Sequence, residues 1–432
     1  MLRLLTMQRQ RCLSAVLLAV TIAASGGARA GEPVAAPPPV PTAAPIPAPP
    51  PVDDALSIFV MTFGPGDHPF FKFGHDALLV RDRAAGTDKV YNFGTFAMTP
   101  GLIGEFLKGR LMYWLSVTTL PVTLASYQAE NRTIALQELA LTPEVKRELR
   151  ARLDENARPE NRAYKYDYFL DNCATRVRDA VDRATGGALR ASARAPGRLT
   201  LRGQALRMTA DVPWLWLALD LVLAGSTDRP IDRWGEMYIP GELARGLRAV
   251  SLPGPNGPRP LVAAEQTLFA ANRPPPLDRP PARLVTMLLI GLAIALVFVA
   301  LGWAAHRSPA RVLLGLLTSA WGTLAGFVGC FLVYAWAFTD HVVAHRNENI
   351  FLCAPWAIVL LALGLGVAFG SRRAAVLALR VAVASLLFAL AGWAFKAVPV
   401  VPLHQQNASL IALLLPPWFG MSIALLHAKH TS

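Results

Sequence analysis

The residue in this chain best placed to do covalent chemistry is Cys173, within the stretch from Tyr164 to Asp179. Asp171 or Asn172 is a good helix N-cap, and Ala174 to Ala184 reads as the helix that follows. Cys173 then falls in the first helical turn, where unpaired backbone N–H groups and the positive end of the helix dipole favour a thiolate. Arg176 lies three residues on, along the same helical face, and adds positive potential. A thiol in that setting is a nucleophile that needs a base.

The base is normally a histidine whose imidazole draws off the thiol proton. The segment between the N-terminal leader and the first long apolar run holds two, His68 and His75. His75 sits in a strand-like stretch and is the preferred candidate. His68 sits in the Gly64–Pro69 loop and is the alternative. A third group usually orients the imidazole, and Asn92, on the strand expected next to that of His75, is placed to do so. Asp76 is a rival, but adjacent strand residues point to opposite faces.

These side chains need a scaffold and an address. The chain has 432 residues, 53% hydrophobic and 16% charged, a balance that points to membrane embedding. Its formal net charge of +13 is spread without any long Lys/Arg run, which argues against nucleic acid and for anionic lipid headgroups. Residues 1–30 read as a signal peptide: Arg3, Arg9 and Arg11, an apolar run, then Ala28-Arg29-Ala30. Cys12 lies within it, and Cys330 and Cys353 lie in later apolar segments. Cys173 is therefore expected to have no disulfide partner, although the compartment is oxidising.

Residues 31–54 form a Pro/Ala-rich tether. Strands are expected at Leu56–Phe63, Phe71–Arg81, Lys89–Phe93 and Tyr113–Val117, with a short helix at Gly101–Gly109. Thr142-Pro143-Glu144 opens a helix running to about Glu155. The pattern predicts an α+β domain over 55–270, with a linker at 271–283. The apolar stretch Val212–Gly225 is too short to cross a bilayer and is expected to pack on the domain or lie at the membrane surface.

From 284 to 432 the chain predicts an all-α membrane bundle of about five helices: Leu284–Ala305, Val312–Phe338, Ile350–Gly370, Ala374–Phe395 and about Leu410–Leu426. Pro416-Pro417 interrupts the last, which leaves a re-entrant segment as its alternative. With the domain outside, Arg307, Arg311, Arg372 and Arg373 fall in cytoplasmic loops, in accord with the positive-inside rule. The loop Thr339–Asn349 then faces the exported domain. No set of His, Cys and carboxylates has metal-site spacing, and there is no phosphate-binding glycine loop, so no metal or cofactor is expected.

Phe73–Val80, Tyr91–Phe96, Asn131-Arg132, Pro159–Arg162 and Tyr166–Asp179 together resemble the Lnb N-terminal periplasmic domain family, over about residues 55–270. Lnb is a bacterial lipoprotein N-acyltransferase whose membrane-bound members carry a C-terminal helical region. The order of histidine, polar residue on the next strand, then cysteine at a helix start also looks like the permuted papain-like enzymes, such as lecithin:retinol acyltransferase. His75, Asn92 and Cys173 match that order. The membrane half is similar more loosely, at Asp340-His341, at Asn347-Glu348-Asn349 and at Pro355.

The resemblance implies a thiol acyltransferase in the bacterial inner membrane with its catalytic domain in the periplasm. A membrane phospholipid would give an acyl chain to Cys173, and the N-terminal amine of a diacylglyceryl-cysteine lipoprotein would receive it. Tyr91, Arg176, His341 and Asn347 are the candidates for substrate contact. The alternative is a Cys-His hydrolase acting on peptidoglycan peptides or acyl esters, with water as acceptor.

Overall fold

A computed structural model describes residues 55–97, 101–398 and 403–431. The expected signal segment, with Cys12, and most of the tether lie outside the described residues. What is described is an α+β region followed by five helices long and apolar enough to cross a membrane.

Seven strands make one antiparallel sheet. They are β1 (Leu56–Phe63), β2 (His75–Asp82), β3 (Thr87–Thr95), β4 (Met112–Thr119), β5 (Ile134–Leu139), β6 (Ala163–Lys165) and, after two minor strands β7 (Ser251–Leu252) and β8 (Arg259–Pro260), β9 (Val262–Phe269). Their order across the sheet is β6-β4-β3-β2-β1-β5-β9. Alternation along β2 gives the sheet two faces. Leu78 and Val80 belong to one apolar cluster, Ala77 and Leu79 to the other.

Helix α1 is Leu102–Lys108 and α2 is Leu120–Ala129. Side chains of α2 cover the face of Ala77 and Leu79. Helices α3 (Pro143–Asn156) and α4 (Cys173–Ala184) cover the other. Thr142 caps α3 as expected, accepting from the Val145 N–H at 3.5 Å. The second strand starts later than the expected Phe71. Pro69–Phe71 closes instead into a 3₁₀ turn, with Phe71 N–H donating to His68 O at 2.8 Å. Gly74 then turns the chain at φ 85°, where a Cβ would sit 2.8 Å from the Phe63 carbonyl oxygen. The third strand runs longer than expected at both ends.

Helices α5 (Leu201–Met208), α6 (Pro213–Val222) and α7 (Pro240–Arg248) follow, and β9 returns to pair with β5. Helix α6 packs on the helices that follow, Trp216 against Met287 and Leu221 among Leu352 and Leu410.

The apolar helices are α8 (Leu284–Trp303), α9 (Ser308–Phe338), α10 (Leu360–Ala368, entered through 3₁₀ turns from Glu348), α11 (Arg372–Phe395) and α12 (Ala408–Thr431). Gly315, Gly322, Gly326 and Gly329 let α9 lie close to the segment Cys353–Ala368; a Cβ at Gly322 would meet the Leu360 Cβ at 2.2 Å. The last helix is continuous through Pro416 and Pro417 rather than interrupted. A proline leaves the carbonyl four residues earlier without its donor. Those carbonyls, of Ala412 and Leu413, are the atoms that lie against Gly291 of α8, where a Cβ would sit 2.5 and 2.7 Å from them. The Arg311 guanidinium lies beside Gly370, so two of the Arg-bearing turns share one end of the bundle.

Candidate functional site

Helix α4 begins where its sequence says it must. The Asn172 Oδ1 accepts from Thr175 N–H at 2.9 Å, and the Thr175 hydroxyl accepts from Asn172 N–H at 2.8 Å. This reciprocal cap satisfies two of the otherwise orphaned donors. The Asn172 amide also donates to the carbonyls of Tyr168 (3.0 Å) and Tyr238 (2.9 Å), so the cap is fastened to the chain on both sides. Cys173 is the first helical residue and is 7% exposed. A Cβ added at Gly94 would sit 3.6 Å from both the Cys173 Cβ and the Tyr166 ring.

His75 is the first residue of β2, and its ring belongs to the other face. It stacks with Phe63 at 5.8 Å and with Tyr127 of α2 at 6.0 Å. Asn92 lies on the same face, its amide donating to Thr118 Oγ1 at 3.0 Å, and its side chain is a hydrogen-bond partner of the imidazole. His75 and Asn92 are thus brought together. Cys173 reaches the same end of the sheet from the α4 side. Its sulfur faces the backbone N–H groups of Ala174 and Asp76, the latter adjacent to His75. Among the described contacts, none joins the sulfur to the imidazole directly.

Burial dominates the electrostatics. It pushes the Cys173 thiol up to about 12, helped by the Asp76 carboxylate and opposed by the two N–H groups and Arg132. It pushes the His75 imidazole down to about 3, helped by the Arg132 charge and opposed by the Asn92 hydrogen bond. Asp76 is raised to about 7 by burial, with the Thr62 hydroxyl donating to Oδ1 at 2.9 Å and acting the other way. Its Oδ2 is buried without a partner among the described residues. At rest the site holds a neutral thiol and a neutral imidazole, which is the proton-accepting form.

The remaining expected residues are placed as follows. Arg176 spends its charge locally: Nε and Nη2 donate to Asp171 at 2.5 and 2.7 Å, and the guanidinium lies 4.0 Å over the Tyr164 ring. Tyr91 is fully buried in the core, with its hydroxyl donating to Asp154 at 2.6 Å. Asn347 is buried, and its amide donates to the Leu221 and Val222 carbonyls at 2.9 and 2.8 Å, closing the end of α6. His68 caps the Pro69–Phe71 turn and packs beside Phe70 and Phe71.

His341 sits where the loop 339–349 meets the domain. Its Nε2–H donates to Phe106 O at 2.7 Å and its ring stacks with Tyr168 at 6.1 Å. Beside it Asp340 accepts from Arg110 (3.2 Å) and Lys165 (2.8 Å). The loop therefore faces the domain, as expected. Rings run from it toward the thiol: His341, Tyr168, then Tyr166 at 5.9 Å. A groove of about 900 Å³ between α3 and α4 is lined by Leu149, Asp171 and Arg176. Cys173 does not line it.

Sequence reasoning gave no role to Arg132. Its guanidinium lies over the Tyr127 and Phe71 rings, and its charge reaches both His75 and Cys173. The signal was present in the pair Asn131-Arg132, but nothing local ties that pair to a histidine more than fifty residues away.

No curated protein and no solved structure matches the chain. The family described as the Lnb N-terminal periplasmic domain does match, over the segment that contains the first six strands, the thiol and the imidazole. Residues 53–203 thus match the Lnb N-terminal periplasmic domain family, and the helices that follow are long and apolar enough to cross a membrane.

Proposed function

We propose that this protein is a thiol acyltransferase of the bacterial inner membrane that moves an acyl chain from a phospholipid to the N-terminal amine of a diacylglyceryl-cysteine lipoprotein. The observation that carries the reading is a dry thiol at the start of α4, on a domain braced against apolar helices by the loop 339–349. Exclusion of water favours transfer to an amine over hydrolysis of an acyl-enzyme.

The chemistry runs in two halves. Donor entry draws the thiol and imidazole into hydrogen-bond reach, a tightening common between resting and occupied sites. As the sulfur attacks the ester carbonyl, the Cys173 proton passes to His75 in the same step, so that no free thiolate has to form first. The Asp76 and Ala174 N–H groups, already directed at the sulfur, favour the negative charge that develops on it. The ester C–O bond breaks, and the lysophospholipid alcohol takes the proton from the imidazolium. In the second half the lipoprotein amine attacks the thioester. It gives its proton to His75, which returns it to the departing sulfur. Asn92 holds the imidazole throughout.

The test is complementation of a Gram-negative strain depleted of its own lipoprotein N-acyltransferase, read by mass spectrometry of a lipoprotein N-terminus. Wild type adds a third acyl chain, and Cys173→Ala does not. Failure of wild type, or success of the alanine variant, removes the proposal. Release of free fatty acid without amide product would point to a hydrolase.

A further inference from the structure

Arg132 is 2% exposed, at the turn between α2 and β5. Three features hold its guanidinium rigidly. Nε donates to Gly64 O at 2.9 Å, Nη1 pairs with Glu130 at 3.2 Å, and the guanidinium carbon lies over the rings of Tyr127 (4.6 Å) and Phe71 (5.0 Å). The turn itself is strapped from outside. Asn131 exchanges hydrogen bonds with the Asn272 backbone at 3.0 and 3.3 Å, and Arg273 donates to Asn131 O at 2.9 Å.

One atom is left over. Nη2 is buried and has no hydrogen-bond partner among the described residues. A buried guanidinium N–H without an acceptor is costly, and native structures keep one chiefly where a ligand or water supplies the acceptor. Arg176 offers the contrast: its Nε and Nη2 both donate to the Asp171 carboxylate, whereas the Arg132 pairing with Glu130 uses Nη1 and leaves Nη2 over. Arg132 stands next to the reacting groups through Tyr127, whose ring stacks on Phe63 at 3.6 Å and with His75 at 6.0 Å.

We propose that Arg132 is the anion subsite of this centre, with Nη2 receiving a phosphate oxygen of the acyl donor. An arginine held in place is the usual device for phosphate recognition, because its donors are already oriented. In a glycerophospholipid the phosphate is one short glycerol unit from the ester carbonyls. An anchor beside the thiol and imidazole therefore holds that carbonyl near the sulfur. The inference rests on the acyl-transfer reading and names how the donor is recognised.

The experiment uses the full chain in detergent micelles and follows thioester formation on Cys173 by intact mass. Two acyl donors of the same chain length are compared, a phospholipid and a neutral nitrophenyl ester, in wild type, Arg132→Gln and Arg132→Lys. Loss of a charged hydrogen bond is worth a factor of roughly 10 to 100. The ratio of kcat/KM for phospholipid over neutral ester should therefore fall by about that factor in Arg132→Gln, mainly through KM, and by less in Arg132→Lys. Inorganic phosphate should compete with phospholipid in wild type.

An unchanged ratio, whether both rates fall together or neither falls, overturns the subsite. Should Arg132→Gln fail to fold, the ratio in Arg132→Lys decides alone, since a structural role would lower both donors equally. If wild type forms no thioester from phospholipid, the acyl-transfer reading fails first, an outcome distinct from a wild type that works and a variant whose selectivity is intact.

Discussion

The sulfur of Cys173 faces the backbone N–H of Asp76, and it does so from the side of the sheet opposite the His75 ring. The two groups approach the same end of β2, where pairing with β3 has already stopped at Leu78. There β2 is still paired with β1, Phe63 opposite His75, but its other edge is open. In this structure the pair is poised rather than engaged, with sulfur and imidazole both uncharged.

Cys173 should therefore be a sluggish nucleophile in the empty enzyme. With the thiol pushed up to about 12, the thiolate fraction at pH 8 is on the order of one in ten thousand. Iodoacetamide labelling of Cys173, followed by peptide mapping, should run at least ~100-fold slower than for a free cysteine and keep rising beyond pH 10. A plateau at or below pH 9 would show that the thiol ionises normally.

The buried Asp76 carboxyl links stability to pH. Burial raises its pKa from the usual carboxylate value of 3.8 to about 7, so the fold favours the protonated form. Its contribution is fully present below about pH 4 and is lost as pH rises through about 7. Asp76→Asn keeps an acceptor for Thr62 and cannot ionise. At about 1.4 kcal/mol per pKa unit, the variant should gain a few kcal/mol over wild type between pH 4 and pH 8. Melting curves that shift in parallel across that range would refute it.

Arg202 ties α5 to the end of α6. It donates to the Asp228 carboxylate at 2.7 Å, to the Asp220 carboxylate at 2.9 Å and to the carbonyls of Asp220 and Leu223, all of it buried. Arg202→Ala leaves two carboxylates without their cation and should cost about 3–5 kcal/mol in denaturant unfolding. Adding Asp220→Asn or Asp228→Asn should recover part of the loss. A cost below about 1 kcal/mol would mean the carboxylates are hydrated rather than buried.

Asn347 is better explained as a structural cap than as a headgroup ligand. Its amide serves the Leu221 and Val222 carbonyls, and its oxygen accepts from Asn349 N–H at 2.9 Å. Asn347→Ala should destabilise by about 1–3 kcal/mol, the cost of leaving buried carbonyls unsatisfied. Donor KM should stay unchanged in whatever protein remains folded. A raised KM at unchanged melting temperature would restore the substrate role.

Features written in neighbouring residues could be read from the chain alone. The Thr142-Pro143 helix start, the Asn172 cap that puts Cys173 in the first turn, strand β1 and the apolar spans depend on spacings of a few residues or on hydropathy over one helix length. Other features came only with the folded chain, because their causes are distant in sequence. Strand β9 closes the sheet edge on β5 but is mostly exposed, so no apolar alternation announces it. The close approach of Gly291 to the two carbonyls that Pro416 and Pro417 leave without donors joins residues more than a hundred positions apart. Arg176 looked free in the sequence and is neutralised by Asp171, whereas Arg132 looked ordinary and keeps an open donor beside His75 and Cys173. Residue types and local spacing decided which groups can react. Long-range packing decided which are dry, which are paired and which still lack a partner, since burial and hydrogen bonding depend on neighbours that only the fold supplies.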